Sequence, residues 1–191
     1  MYNLSIKNMV CGRCIKVVKD ELLNLGLKVI DVNLGYAQLD KKPGKPMHDK
    51  IANVLSANGF ELLDEKGAKI IEQIKNLIVE SIHHSASQPK TNYSDFIADH
   101  LHHDYSYVSN LFSQVEGLTI EQYIINQKIE KVKELLVYDE LSLSQIAIQL
   151  GYSSTAHLSS QFKKLTGLTP SAFKQNGIQN RRSLDDIGKP E

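Results

Sequence analysis

The only two cysteines of the chain, Cys11 and Cys14, stand three positions apart in Met9-Val10-Cys11-Gly12-Arg13-Cys14. Two cysteines cannot frame a disulfide-rich fold, and this spacing points instead to metal or redox chemistry. The thiolate is the reactive and ligating form. A helix opening at this loop favours it, because the positive end of a helix dipole lowers a thiol pKa. A second group of residues suits another task. Lys163 and Lys164 close a helical pattern whose outward positions are Ser154, Thr155, His157, Ser160 and Gln161. Ammonium groups neutralise phosphates, and short polar side chains hydrogen-bond base edges. No nucleophile–base constellation and no phosphate-cradling loop accompanies either group, so an enzyme is not expected.

The elements that must position the lysines appear twice. Val108-Ser109-Asn110-Leu111-Phe112, four residues, then Gly117-Leu118-Thr119 returns as Leu158-Ser159-Ser160-Gln161-Phe162, four residues, then Gly167-Leu168-Thr169. Upstream lie Ile97-Ala98-x-x-Leu101 and Ile146-Ala147-x-x-Leu150-Gly151. The small residue lets a second helix cross closely, and Gly151 permits the sharp turn between helices. The repeat therefore predicts two helix-turn-helix units in tandem. The first unit turns Tyr105, Ser106, Tyr107, Asn110 and Gln114 outward. Val108, Leu111, Phe112, Leu158, Phe162 and Leu165 are assigned to the core. Between the units, Thr119-x-x-Gln122 opens a helix over 120–138, with apolar residues at helical spacing. That helix is about 28 Å long at 1.5 Å per residue, close to the roughly 34 Å between successive major-groove faces of B-DNA. Ser142-x-x-Gln145 caps the next helix, and another helix over 68–84 precedes the first unit, followed by a loop over 87–92.

The elements around the cysteines follow a different rhythm. A strand with Leu4 and Ile6 on one face leads into the cysteine loop. A helix with Ile15, Val18, Leu22 and Leu25 on one side follows. Strands at 29–32 and 36–39, a helix over 47–58 beyond Pro43 and Pro46, and a strand over 60–63 complete a βαββαβ order. The fold class is thus α+β: a ferredoxin-like βαββαβ domain over 1–65, then an all-α tandem helix-turn-helix domain over 67–175. Residues 64–67 form a short link between them, and 176–191 form a flexible tail.

LSLSQIAIQLGYSSTAHLSSQFKKLTGLTPSAFK resembles the second helix-turn-helix and signature of the AraC/XylS transcription regulators. The resemblance spans roughly 68–175. It implies sequence-specific binding of double-stranded DNA, with RNA polymerase and a second copy of the chain as further partners. Strand, Met-x-Cys-x-x-Cys, helix within a βαββαβ unit resembles the heavy-metal-associated domain. That resemblance implies metal ligation by Cys11 and Cys14, with Met9 packed beneath the loop and Gly59-Phe60 beside it. Two soft thiolates suit Cu(I) or another soft ion, and Zn(II) is the less favoured choice because Val10 stands where zinc-type members carry an acid.

Charge sets a condition on the DNA reading. Between 68 and 175 stand nine lysines and no arginine against eleven acids, a net charge of −2. Phosphate neutralisation supplies most non-specific affinity, so a net acidic reader must concentrate its cations. The competing expectation is a metal-handling, thiol-redox or protein-docking module with weak or no DNA binding. His100, His102, His103 and Asp104 fall at a helix turn where exposed polar residues are expected anyway, and His83-His84 at a helix end where a cation is favoured. No apolar run reaches the length of a membrane span, and the start lacks a signal pattern, so a cytoplasmic protein is expected.

Overall fold

Alternating apolar residues build the N-terminal sheet. In the computed structural model, which describes residues 1–85, 89 and 91–176, the order is β1 (Tyr2–Lys7), α1 (Gly12–Asn24), β2 (Val29–Asn33), β3 (Tyr36–Leu39), α2 (Lys45–Ala57) and β4 (Glu61–Leu62). The strands lie in the order β2-β3-β1-β4, every neighbouring pair antiparallel. β1 pairs β3 from Tyr2↔Leu39 to Ser5↔Tyr36, and β4 through Ile6↔Leu62 and Lys7↔Glu61. This register puts Leu4, Ile6, Ala37 and Leu39 into one core with Val18 and Leu22 of α1 and Ile51 and Leu55 of α2. Pro46 sits inside the first turn of α2 rather than ahead of it. A first-turn residue has no intrahelical partner for its N–H, so proline costs nothing there.

The expected link at 64–67 is absent. α3 (Glu65–Val79) starts directly after β4, because Asp64 caps it. The Asp64 carboxylate accepts the Gly67 N–H at 2.7 Å, and its backbone carbonyl accepts the Ala68 N–H at 3.0 Å. An N-cap carboxylate satisfies a donor that the helix itself cannot. The helix then widens into a π turn, Glu80–His84.

Further along run α4 (Tyr93–Leu101), α5 (Tyr105–Glu116), α6 (Ile120–Tyr138), α7 (Leu143–Gln149), α8 (Thr155–Thr166) and α9 (Pro170–Asn176). Among the described residues, contacts gather into two compact units, 1–73 with 101–120 and 74–100 with 121–176. In the first, α5 buries Val108, Leu111, Phe112 and Val115. The second is built on α6, whose bounds match the periodicity. α6 buries Tyr123, Ile124, Ile129, Val132 and Leu136, but also Gln127, Glu130 and Lys133. Each buried polar group is paired: Lys133 with Glu130 at 2.6 Å, and Gln127 with the Tyr123 hydroxyl at 3.0 Å. Burying an amide without a partner would cost roughly 2–7 kcal/mol, and an unpaired ammonium or carboxylate far more.

Two expectations about this unit are corrected. Leu165 is 41% exposed, and the ring beside Phe162 is Phe173 of α9, edge to face at 5.4 Å. His83 stands in the last turn of its helix as expected, but it is not simply solvated there. Burial lowers its pKa below the usual imidazole range, and the ring bonds Gln127 at 3.0 Å. Among the described residues, no helix is long and apolar enough to cross a membrane. The expected loop over 87–92 falls partly, and the tail after 176 wholly, outside the described residues.

Candidate nucleic-acid interface and thiol site

The turn into α8 is made by local sequence. Ser142 and Gln145 form a reciprocal capping box at the start of α7. At its end, Gly151 takes φ +70. The Gly151 N–H then reaches the Ile148 carbonyl at 3.1 Å and the Tyr152 N–H the Ala147 carbonyl at 2.8 Å. That pair of bonds closes a helix through one left-handed residue, where glycine carries no Cβ penalty. Ser154 caps α8 by accepting the His157 N–H at 3.1 Å. Tyr152 then fixes the neighbouring side chains: its hydroxyl donates to Gln161 at 2.7 Å, and its ring meets His157 edge to face at 5.4 Å.

The outward positions expected on α8 divide accordingly. Ser154, Thr155, His157 and Ser160 are exposed, whereas Gln161 is half-buried against Tyr152. Lys163 and Lys164 fill the last turn, exposed and without a partner among the described residues. Other lysines of the unit are committed. Lys131 pairs with Glu134 at 2.9 Å, Lys133 with Glu130, and Lys174 with Asp139. Lys128 lies over the rings of Tyr93 at 5.4 Å and Tyr152 at 5.6 Å, where burial lowers its ammonium pKa and raises both phenols. Sequence reasoning missed Tyr152 and Lys128 as positioning residues. The Gly151-Tyr152 turn was the available signal.

α5 repeats the frame with another surface. Asp104 caps it, accepting the Tyr107 N–H at 3.2 Å. That bond first, and then Ser106, hold the Asp104 carboxyl below its usual range. Ser106, Tyr107, Asn110 and Gln114 are exposed, and Tyr105 is half-buried. No residue of α5 is basic. The residue matching Gly151 is His102, which adopts φ +52.

At the other end of the sequence, Cys11 is the N-cap residue of α1, and the Cys14 N–H bonds its carbonyl at 3.0 Å. The two sulfur atoms are 3.4 Å apart, both free, Cys11 the more exposed. The Cys14 backbone N–H, then the Cys14 thiol and the Arg13 N–H, pull the Cys11 pKa down. Met9 is buried, and the Asn8 side chain donates to the Gly59 carbonyl at 3.4 Å, bringing Gly59-Phe60 to the loop. Among the described residues, no group of three or more His, Cys, Asp or Glu side chains is placed to hold a metal ion.

Residues 97–176 match the model of a helix-turn-helix domain family. YtdP of Bacillus subtilis, an uncharacterised HTH-type transcriptional regulator, is 26% identical over 155 residues, covering 74% of this chain and 20% of that protein. The melibiose operon regulatory protein of Escherichia coli K12 is 30% identical over 88 residues, 46% of this chain and 29% of that protein. The chain thus spans less than a third of these relatives' own length. A crystal structure of a transcriptional regulator from Chromobacterium violaceum, described as having an AraC-type DNA-binding domain, aligns with a TM-score of 0.52 at 21% identity. The alignment covers 61% of this chain and 99% of that one, and it establishes a shared fold. The C-terminal part of the chain carries a helix-turn-helix domain.

Proposed function

We propose that this chain is an AraC-type transcription regulator that binds double-stranded DNA, with α8 supplying the phosphate contacts. The observation that carries this reading is the Lys163–Lys164 pair, exposed and without a partner among the described residues, on a helix whose fold relatives include a DNA-binding regulator. Ser154, Thr155, His157 and Ser160 stand beside it, and Gln161 contributes once released from Tyr152. Tyr105, Ser106, Tyr107, Asn110 and Gln114 of α5 add hydrogen-bonding groups suited to adenine edges, without a cation. RNA polymerase, a second copy of the chain and a cytoplasmic location belong to the same proposal. The test is binding of duplex DNA from upstream of the chain's own gene, at low and moderate salt. Lys163→Ala and Lys164→Ala should each reduce the salt slope by about one. An unchanged slope in the double variant would overturn the assignment.

The N-terminal residues 1–65 belong, in this reading, to a ferredoxin-like domain of heavy-metal-associated type, and 67–175 to the reader. The βαββαβ order and β2-β3-β1-β4 sheet support the first half of that statement. Cys11 and Cys14 would hold the metal. The donor set fits a soft ion of low coordination number: two thiols 3.4 Å apart, one with a lowered pKa, and no third donor grouped with them among the described residues. Structural zinc asks for four ligands. A bound Cu(I) would displace the thiol protons and cross-link the loop to the start of α1. Reduced protein should take up about one Cu(I) per cysteine pair, and either Cys→Ser change should remove most of the affinity. Unchanged stoichiometry in Cys11→Ser/Cys14→Ser would return the sheet to a structural role. A tenfold effect of metal on DNA affinity would require about 1.4 kcal/mol of coupling, within the usual range.

A further inference from the structure

We propose that the outward face of α5 is a docking surface for the chain's own sheet, and that the sheet and DNA compete for it, resting on the reading of α5 as a DNA-facing helix. Two features of the first unit hold the sheet against the end of this helix, and a third sets the sheet edge opposite its outward side chains. The last carbonyls of a helix have no intrahelical partner. One of them, that of Gln114, accepts the backbone N–H of Asn8 at 3.2 Å. Gly35, in the turn between β2 and β3, adopts φ +86, and a Cβ there would lie 2.0 Å from the Val115 carbonyl oxygen. Both the backbone conformation and the approach demand a residue without a side chain. Finally, Glu61, Asp64 and Gly67 face Tyr107, Asn110 and Gln114 across an open cavity of about 500 Å³.

That cavity decides between the two occupants. It is lined by β4 and the start of α3 on one side and by α5 on the other. A reading helix about 10–12 Å across must instead sit in a major groove about 12 Å wide, with a DNA backbone on either side. The wall formed by β4 and the start of α3 lies across this face; it carries Glu61, paired with Lys7 at 2.6 Å, and the capping carboxylate of Asp64. The surface chemistry of α5 agrees. A face with no lysine or arginine suits a protein partner better than a polyanion. Asn8 also stands three positions ahead of Cys11, with φ +69, so the docking bond and the thiol loop share one stretch of backbone.

Amide hydrogen exchange on the full chain tests this directly, with and without saturating duplex from upstream of its gene. Opening of the docked face should speed exchange at the Asn8 amide about tenfold in the DNA complex. Gly35→Asn is the companion variant, because asparagine tolerates the left-handed backbone while its Cβ still meets Val115. It should bind the same duplex about tenfold tighter than wild type, with circular dichroism confirming its fold. Equal Asn8 protection in free and bound protein, or a folded Gly35→Asn that binds no tighter, would overturn the competition while leaving salt-dependent DNA binding through α8 intact. Absence of any salt-dependent binding in both proteins would overturn the DNA reading itself, and the competition with it.

Discussion

α5 and α8 are two copies of one helix with different surfaces. Each begins at a side-chain cap, Asp104 or Ser154, and ends at a left-handed glycine, Gly117 or Gly167. Each buries a phenylalanine completely, Phe112 or Phe162. They part company at the turn before the helix, where His102 stands in one and Gly151 in the other, and on the outer face. α8 ends in two lysines without a partner among the described residues; α5 has no basic residue, and its last turn is bonded to Asn8. The difference teaches that the repeated residues are those the helix needs to fold and pack, while the partner of the outer face is set by residues the repeat leaves free.

If the two cores are equivalent, removing either ring should cost about the same. Phe112→Ala and Phe162→Ala are each expected to lose about 3–5 kcal/mol, through lost burial and the cavity left behind. Urea unfolding followed by circular dichroism measures both, and a loss confined to one would break the equivalence. The turns should respond in opposite directions. Gly151→Ala places a Cβ in a left-handed conformation and should destabilise by about 1–2 kcal/mol, whereas His102→Gly should relieve strain of about 1 kcal/mol. Thermal melts of the two variants give the signs; a destabilised His102→Gly would show that the imidazole has a role beyond the turn.

The smallest expected effect separates the two caps by pH. The Asp104 carboxyl is held below its usual range chiefly by the Tyr107 N–H. Its contribution is therefore complete above the unfolded-state pKa near ~3.9 and is lost as pH falls through the lowered folded value. Ser154 has no such titration. Below about pH 4 the protection factor of the Tyr107 amide should drop while that of the His157 amide holds. A parallel loss at both would mean that acid acts on the fold as a whole rather than on this cap.

What could be read from the residues in order was whatever depends on neighbours a few positions away. The helix over 120–138, the Ser142–Gln145 capping box, the strand pattern of Leu4 and Ile6 and the Gly151 turn all follow from periodicity, caps and backbone freedom. The Asp64 cap obeys the same local logic, but there the expectation of a link between two patterns obscured a helix start that begins with Asp64-Glu65. Of the candidate sites, the cysteine loop and the lysine pair were legible because spacing alone puts them on a helix start and a helix end. Tertiary structure decided the rest. Gln161 turns to Tyr152, His83 is desolvated beside Gln127, Phe173 rather than Leu165 fills the place beside Phe162, and Gln114 meets Asn8. Each of these depends on a segment brought in by the fold. Burial and a nonlocal hydrogen bond fix a side chain's environment only once chain folding has chosen what arrives beside it, and no periodicity within one helix carries that information.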